Sequence, residues 1–178
     1  MGGVAELDEM FNKTGLVSDL DIFDYDLFIK ERKEIEKISN ALPSDSILDV
    51  STIHRLMRLI IRGLNICDNW IPKLHVILSY KEIERDKDKA NAYINADLDN
   101  KKLTVELRKN LSEVDEKYIE NKLIVEKIKA SKLFFERKRD TFKTSYFMLK
   151  AQLDTYSLSD KTNSGEELEY EASTKENW

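Results

Sequence analysis

Between Ile128 and Lys150 the chain interleaves cations with aromatics. Lys129, Lys132, Arg137, Lys138, Arg139, Lys143 and Lys150 fall among Phe134, Phe135, Phe142, Tyr146 and Phe147. Ammonium and guanidinium groups neutralise phosphates, and aromatic faces stack on unpaired bases at about 1–3 kcal/mol per base. Together they can hold single-stranded nucleic acid without reading its sequence. The residues assigned to that work are Lys129, Lys132, Arg137, Lys138, Arg139 and Lys143 on phosphates, with Phe134 and Tyr146 on bases. The competing reading makes the aromatics core and lets the cation stems lie along them while the charges reach water. Arg55, Arg58 and Arg62, spaced by three and four, would extend the basic surface if their helix packs alongside.

Other chemistries find little material. His54 and His75 have no second ligand one helical turn away, and Cys67 has no partner thiol, so no metal site is expected. Gly63 stands alone, and Gly2-Gly3 opens the chain, so no phosphate-cradling glycine loop follows a strand. Acidic residues are many, yet none form a spaced pair in apolar surroundings suited to acid–base catalysis. The expectation is a protein without cofactor or catalytic residues, and not an enzyme.

The elements that must carry the basic segment are helices. Five glycines and two prolines in 178 residues leave little turn material for a sheet, and 35% of residues are charged against 41% hydrophobic. A stripe of Leu111, Val114, Tyr118, Val125, Ile128, Phe135, Phe142, Tyr146, Leu149, Leu153 and Tyr156 recurs at threes, fours and sevens. That spacing predicts one continuous helix over 104–156, capped by Thr104 and about 75 Å long. Asn121, Lys132 and Arg139 interrupt its seam, and Asn121 either sets register in a bundle or faces solvent where the seam splays. Upstream, helices are expected over about 19–38, 46–69 and 72–97, with Ser44-Asp45-Ser46 as caps and Pro72 restarting the chain after a stop. Residues 1–18 read as a flexible N-terminus and 157–178 as an acidic disordered tail.

The fold class is therefore all-α: a long antiparallel, coiled-coil-like helical hairpin with two shorter N-terminal helices. With the third helix half as long as the fourth, the stretch beyond Ala130 needs cover from the first two helices, a second subunit or a nucleic-acid strand.

The net charge of −5 is unevenly spread. Residues 1–100 hold 13 basic against 19 acidic side chains, 101–150 hold 14 against 8, and 151–178 hold 2 against 7. A basic segment inside an acidic chain points to an anionic partner. The apolar run Leu56–Ile66 is cut by Arg58 and Arg62, far short of the ~20 residues a bilayer crossing needs. The amphipathic segment Ile53–Ile66 allows a peripheral membrane reading as well as an ordinary core one. One cysteine and no signal-peptide pattern give a cytoplasmic expectation, the host cytoplasm if the protein is phage-encoded.

Ala90-x-Ala92-Tyr93, then Leu98-Asp99-Asn100-Lys101-Lys102-Leu103-Thr104-Val105 and Arg108-Lys109, lead into a helix bearing Lys and Tyr. Over roughly residues 75–155 this pattern resembles small helical proteins of phage recombination and replication clusters, and is similar to the UvsY-type recombination mediators. The resemblance implies a helical homo-oligomer that binds single-stranded DNA and helps a recombinase load onto strands coated by single-strand binding protein. The mediators' Lys-x-Arg-x-x-Tyr-Tyr motif has an echo here in Lys87-x-Lys89 and Tyr93. The alternative is a helical assembly or adaptor protein that binds another protein through its coiled-coil hairpin.

Overall fold

The computed structural model describes residues 24–43, 47–99 and 103–175. Among them are four helices and no strand: α1 (Tyr25–Asn40), α2 (Val50–Asp99), α3 (Val105–Glu113) and α4 (Glu116–Lys175), with α2 and α4 packed against each other.

Each start has a side chain that takes an orphan backbone N–H. Asp24 Oδ1 accepts from the Leu27 N–H at 2.9 Å, Asp49 Oδ1 from the Thr52 N–H at 2.9 Å, and Thr104 Oγ1 from the Leu107 N–H at 3.3 Å. Thr52 also donates its hydroxyl to Asp49 Oδ2 at 2.7 Å, and these bonds hold the Asp49 carboxyl below its ordinary value. The Thr104 cap is where the sequence places it. The expected caps Ser44-Asp45-Ser46, the flexible stretch 1–18 and the first residues of the 19–38 helix lie outside the described residues.

Three expectations about helix ends are corrected. The second and third helices are one, because α2 runs through Pro72 without a stop. Proline removes the bond to the Asp68 carbonyl, but both residues lie on the exposed side of α2. The turns on either side are held by Ile66, Cys67, Trp70 and Leu74, all buried. The fourth helix is instead two. At Val114 (φ −103°, ψ 3°) the chain leaves the helical path, and the Val114 N–H donates to Leu111 O at 3.3 Å. Asp115 then caps α4, its Oδ1 accepting from the Tyr118 N–H at 3.1 Å. Leu111 and Val114, expected in the seam, are exposed. Finally, α4 does not end near Tyr156 but keeps a helical backbone to Lys175, into the segment expected to be disordered.

The described chain divides into two compact units, both containing parts of α1, α2 and α4. One takes α1 up to Arg32 together with Cys67–Arg137. Its centre is aromatic: the Phe28 ring meets Trp70 edge-on at 5.1 Å, and Phe135 lies 5.8 Å from Phe28 and 6.5 Å from Trp70. Trp70 is fully buried and donates its indole N–H to Glu31 Oε2 at 2.5 Å, so the polar edge of the ring is satisfied. Leu74, Ile77, Ile124, Val125 and Ile128 extend this core. Asn121 donates to Asp88 across the α2–α4 seam, a polar layer in keeping with the register reading.

The other unit takes Lys33–Ile66 and the chain from Lys138 onward. Ile35, Ile38, Ile53, Leu56, Ile60, Phe142 and Leu149 form its core. Here α4 lies directly on the α2 backbone, for a Cβ added at Gly63 would come within 2.5 Å of Phe142 Cε2. Glycine is required by this close approach, not by its backbone angles. Between Ala130 and Leu149 the seam of α4 thus finds its cover inside the chain, Phe135 against Phe28 and Trp70 and Phe142 against Gly63.

Candidate nucleic-acid interface

Along α4 the residues Ile128, Phe135, Phe142 and Leu149, seven apart, are all buried. This period decides which aromatics are available. Phe135 and Phe142 are fully enclosed and can stack on no base. Phe147 sits two residues before Leu149, about 200° round the helix, and is 66% exposed. Tyr146, half-buried, meets it edge-on at 6.2 Å.

In the unit containing Arg137, the assigned residues are largely engaged. Lys129 pairs with Glu82 at 3.1 Å and Glu126 at 3.6 Å, and Lys132 with Glu136 at 3.4 Å. Phe134 is half-buried beneath the Arg32 guanidinium, 4.7 Å from its ring centre, and stacks edge-on with Phe135. Arg137 is exposed. The arginine over Phe134 occupies the face a base would use.

In the unit beginning at Lys138, that lysine donates to Ser39 Oγ at 2.7 Å, and Arg139 is half-buried. Lys143 is exposed, as is Lys150, and both flank Phe147 at spacings of four and three on one side of α4. Lys143, Tyr146, Phe147 and Lys150 therefore form an accessible cation–aromatic group among the described residues of this unit. Phe147 and Lys150 stand in the basic segment but outside the assigned set, and the seven-residue burial period was the signal that singles Phe147 out.

The basic set on α2 divides too. Arg62 pairs with Glu34, while Arg55 and Arg58 are exposed, Arg58 donating to the His54 carbonyl at 3.4 Å. Ile53, Leu56, Ile60 and Ile66 are core, so most of the apolar face that suggested a peripheral membrane helix is already covered, with Ile61 left exposed. Among the described residues no helix is long and apolar enough to cross a membrane, and no group of three His, Cys, Asp or Glu is placed to hold a metal ion.

No protein-family model, no curated protein and no solved structure matches this chain.

Proposed function

We propose that this is a non-enzymatic, oligomeric accessory protein that binds single-stranded DNA, in the manner of the phage recombination mediators its sequence resembles. The observation that carries the reading is the exposed Phe147 ring, with Tyr146 at its edge and Lys143 and Lys150 on either side. An exposed ring alone is ordinary, but one set between two exposed lysines with a second aromatic at its edge suits a strand, which places a base on the ring and phosphates on the flanking ammonium groups. Each such site is weak, and several copies on one strand multiply it into useful avidity.

Fluorescence anisotropy of a labelled single-stranded oligonucleotide across a salt series tests this. Binding that weakens steeply as salt rises supports the reading, and no binding at about 50 mM salt overturns it.

A second reading, the adaptor, has its own observation. Leu107, Leu111 and Val114 are exposed at spacings of four and three, an apolar strip around α3 and its C-terminal cap. Replacing Leu107 and Val114 by Glu is expected to abolish capture of a protein partner and to leave strand binding unchanged.

A further inference from the structure

α2 carries a second helical seam that stays exposed, with α3 bordering only its Ala90–Ile94 end. Val76, Tyr80, Ile83, Lys87, Ala90 and Ile94 follow one another at spacings of four, three, four, three and four, the a/d repeat of a coiled coil. They lie about 120° round α2 from the buried line of Trp70, Leu74 and Ile77. Val76, Tyr80, Ile83 and Ile94 are 53, 49, 62 and 54% exposed. Single exposed apolar residues are ordinary, but a straight seam about 27 Å long marks an interface.

We infer that this seam is a self-association surface whose occupant is the same seam of a second copy, running antiparallel. Three features select that occupant. With the two-fold axis level with Arg85, Val76 meets Ile94 of the second copy, Tyr80 meets Ala90, and Ile83 meets Lys87, so every seam position has a counterpart. The volumes match, since the largest side chain falls opposite the smallest, and beside Ala90 and Ile94 a groove of about 660 Å3, whose other walls include Asp86, Lys89, Val105 and Lys109, leaves room for the tyrosine ring. The charges match as well. Lys87, the one cation in the seam, comes beside Ile83 of the second copy, which Glu82 and Glu84 flank in sequence. A parallel pair in register would instead set Lys87 against Lys87 and Tyr80 against Tyr80.

This deepens the oligomeric part of the proposed function and rests on it only there, because the seam shares no residue with the Lys143–Lys150 group. Sedimentation velocity on the full chain, with Ile83→Glu alongside, provides the test. The wild type is expected to self-associate, and the variant, whose carboxylate would be buried in the seam, to do so at least about tenfold more weakly with unchanged helicity. A wild type that stays monomeric up to about 100 µM, as it would if a different protein covers the seam, overturns the inference. So does an Ile83→Glu variant that associates like the wild type. Direction is read by oxidising a mixture of Tyr80→Cys and Ala90→Cys chains, Cys67 being buried. Disulfides that form only in the mixture support the antiparallel pair, and Tyr80→Cys linking to itself contradicts it. Oligonucleotide binding by monomeric Ile83→Glu chains separates failure of this surface from failure of strand binding.

Discussion

The two units use the same stripe of α4 and fill the space beside it in opposite ways. Where Phe135 points inward, α2 offers Trp70 and α1 offers Phe28, and three rings close the gap. Where Phe142 points inward seven residues later, α2 offers Gly63, and the ring rests on the helix backbone. One core is built by adding side chains and the other by removing one. The difference teaches that a heptad of buried aromatics says nothing about the spacing of the helices it joins. That spacing is set by the residue opposite.

The largest expected effect breaks the aromatic side. Phe135→Ala empties the centre of a three-ring cluster and is expected to cost about 3–5 kcal/mol in urea unfolding. Gly63→Ala breaks the other side by overfilling it. The methyl would sit 2.5 Å from a ring that is fully buried and cannot swing away. Overpacking of about 1–3 kcal/mol outweighs the helix propensity gained, about 1 kcal/mol, so a net loss is expected. Combining Gly63→Ala with Phe142→Leu should recover part of that loss, and additive costs in the double-mutant cycle would show that the ring and the glycine are not coupled.

Pro72→Ala asks whether α2 pays for its unbroken course. Restoring an N–H in an exposed helix interior should stabilise the chain by about 2 kcal/mol, read as a higher denaturation midpoint. The smallest effect concerns pH. Asp49 is held below its ordinary value of 3.8 by the Thr52 bonds. A carboxylate with a depressed folded value contributes stability that is present above the ordinary value and is lost as pH falls through the folded one. Protection of the amides at the start of α2, the exchange rate taken relative to that of the free chain at the same pH, should therefore fall below about pH 4, and Asp49→Asn should flatten that dependence.

Much of the fold was legible because its signals are local. Helical class, the hairpin and the Thr104 cap each follow from spacing or from one residue's capacity to hydrogen-bond, whereas Asn121 was one of two open readings until its bond to Asp88 placed it in the seam. What was not legible depends on context. Pro72 reads as a restart until one sees that its ring falls on the solvent side and that Trp70 and Leu74 anchor the turns around it. Leu111 and Val114 fit the stripe's spacing, yet Asp115 captures the Tyr118 N–H and begins a new helix, so those two leave the seam. In the basic segment, residue types and spacing assign Phe134 and Tyr146 to bases and pass over Phe147. Burial divides the aromatics into Phe135 and Phe142 inside, Phe134 under Arg32, and Tyr146 with Phe147 toward solvent. The ion pairs of Lys129 and Lys132 are equally invisible in sequence for the first, whose partner Glu82 is 47 residues away, and readable for the second, whose partner Glu136 is one turn on.

The most direct test of strand binding is the oligonucleotide titration repeated with Phe147→Ala and with Lys143→Ala/Lys150→Ala, each against the wild type over the same salt series. Loss of the exposed ring should weaken binding by about 1–3 kcal/mol at every salt concentration and leave the slope unchanged. Loss of the two lysines should instead lower the steepness of the log–log salt dependence by about 1.4, two single-strand phosphate contacts at about 0.7 each. Wild-type affinity and slope in both variants would contradict the assignment of this face of α4 to a nucleic-acid strand.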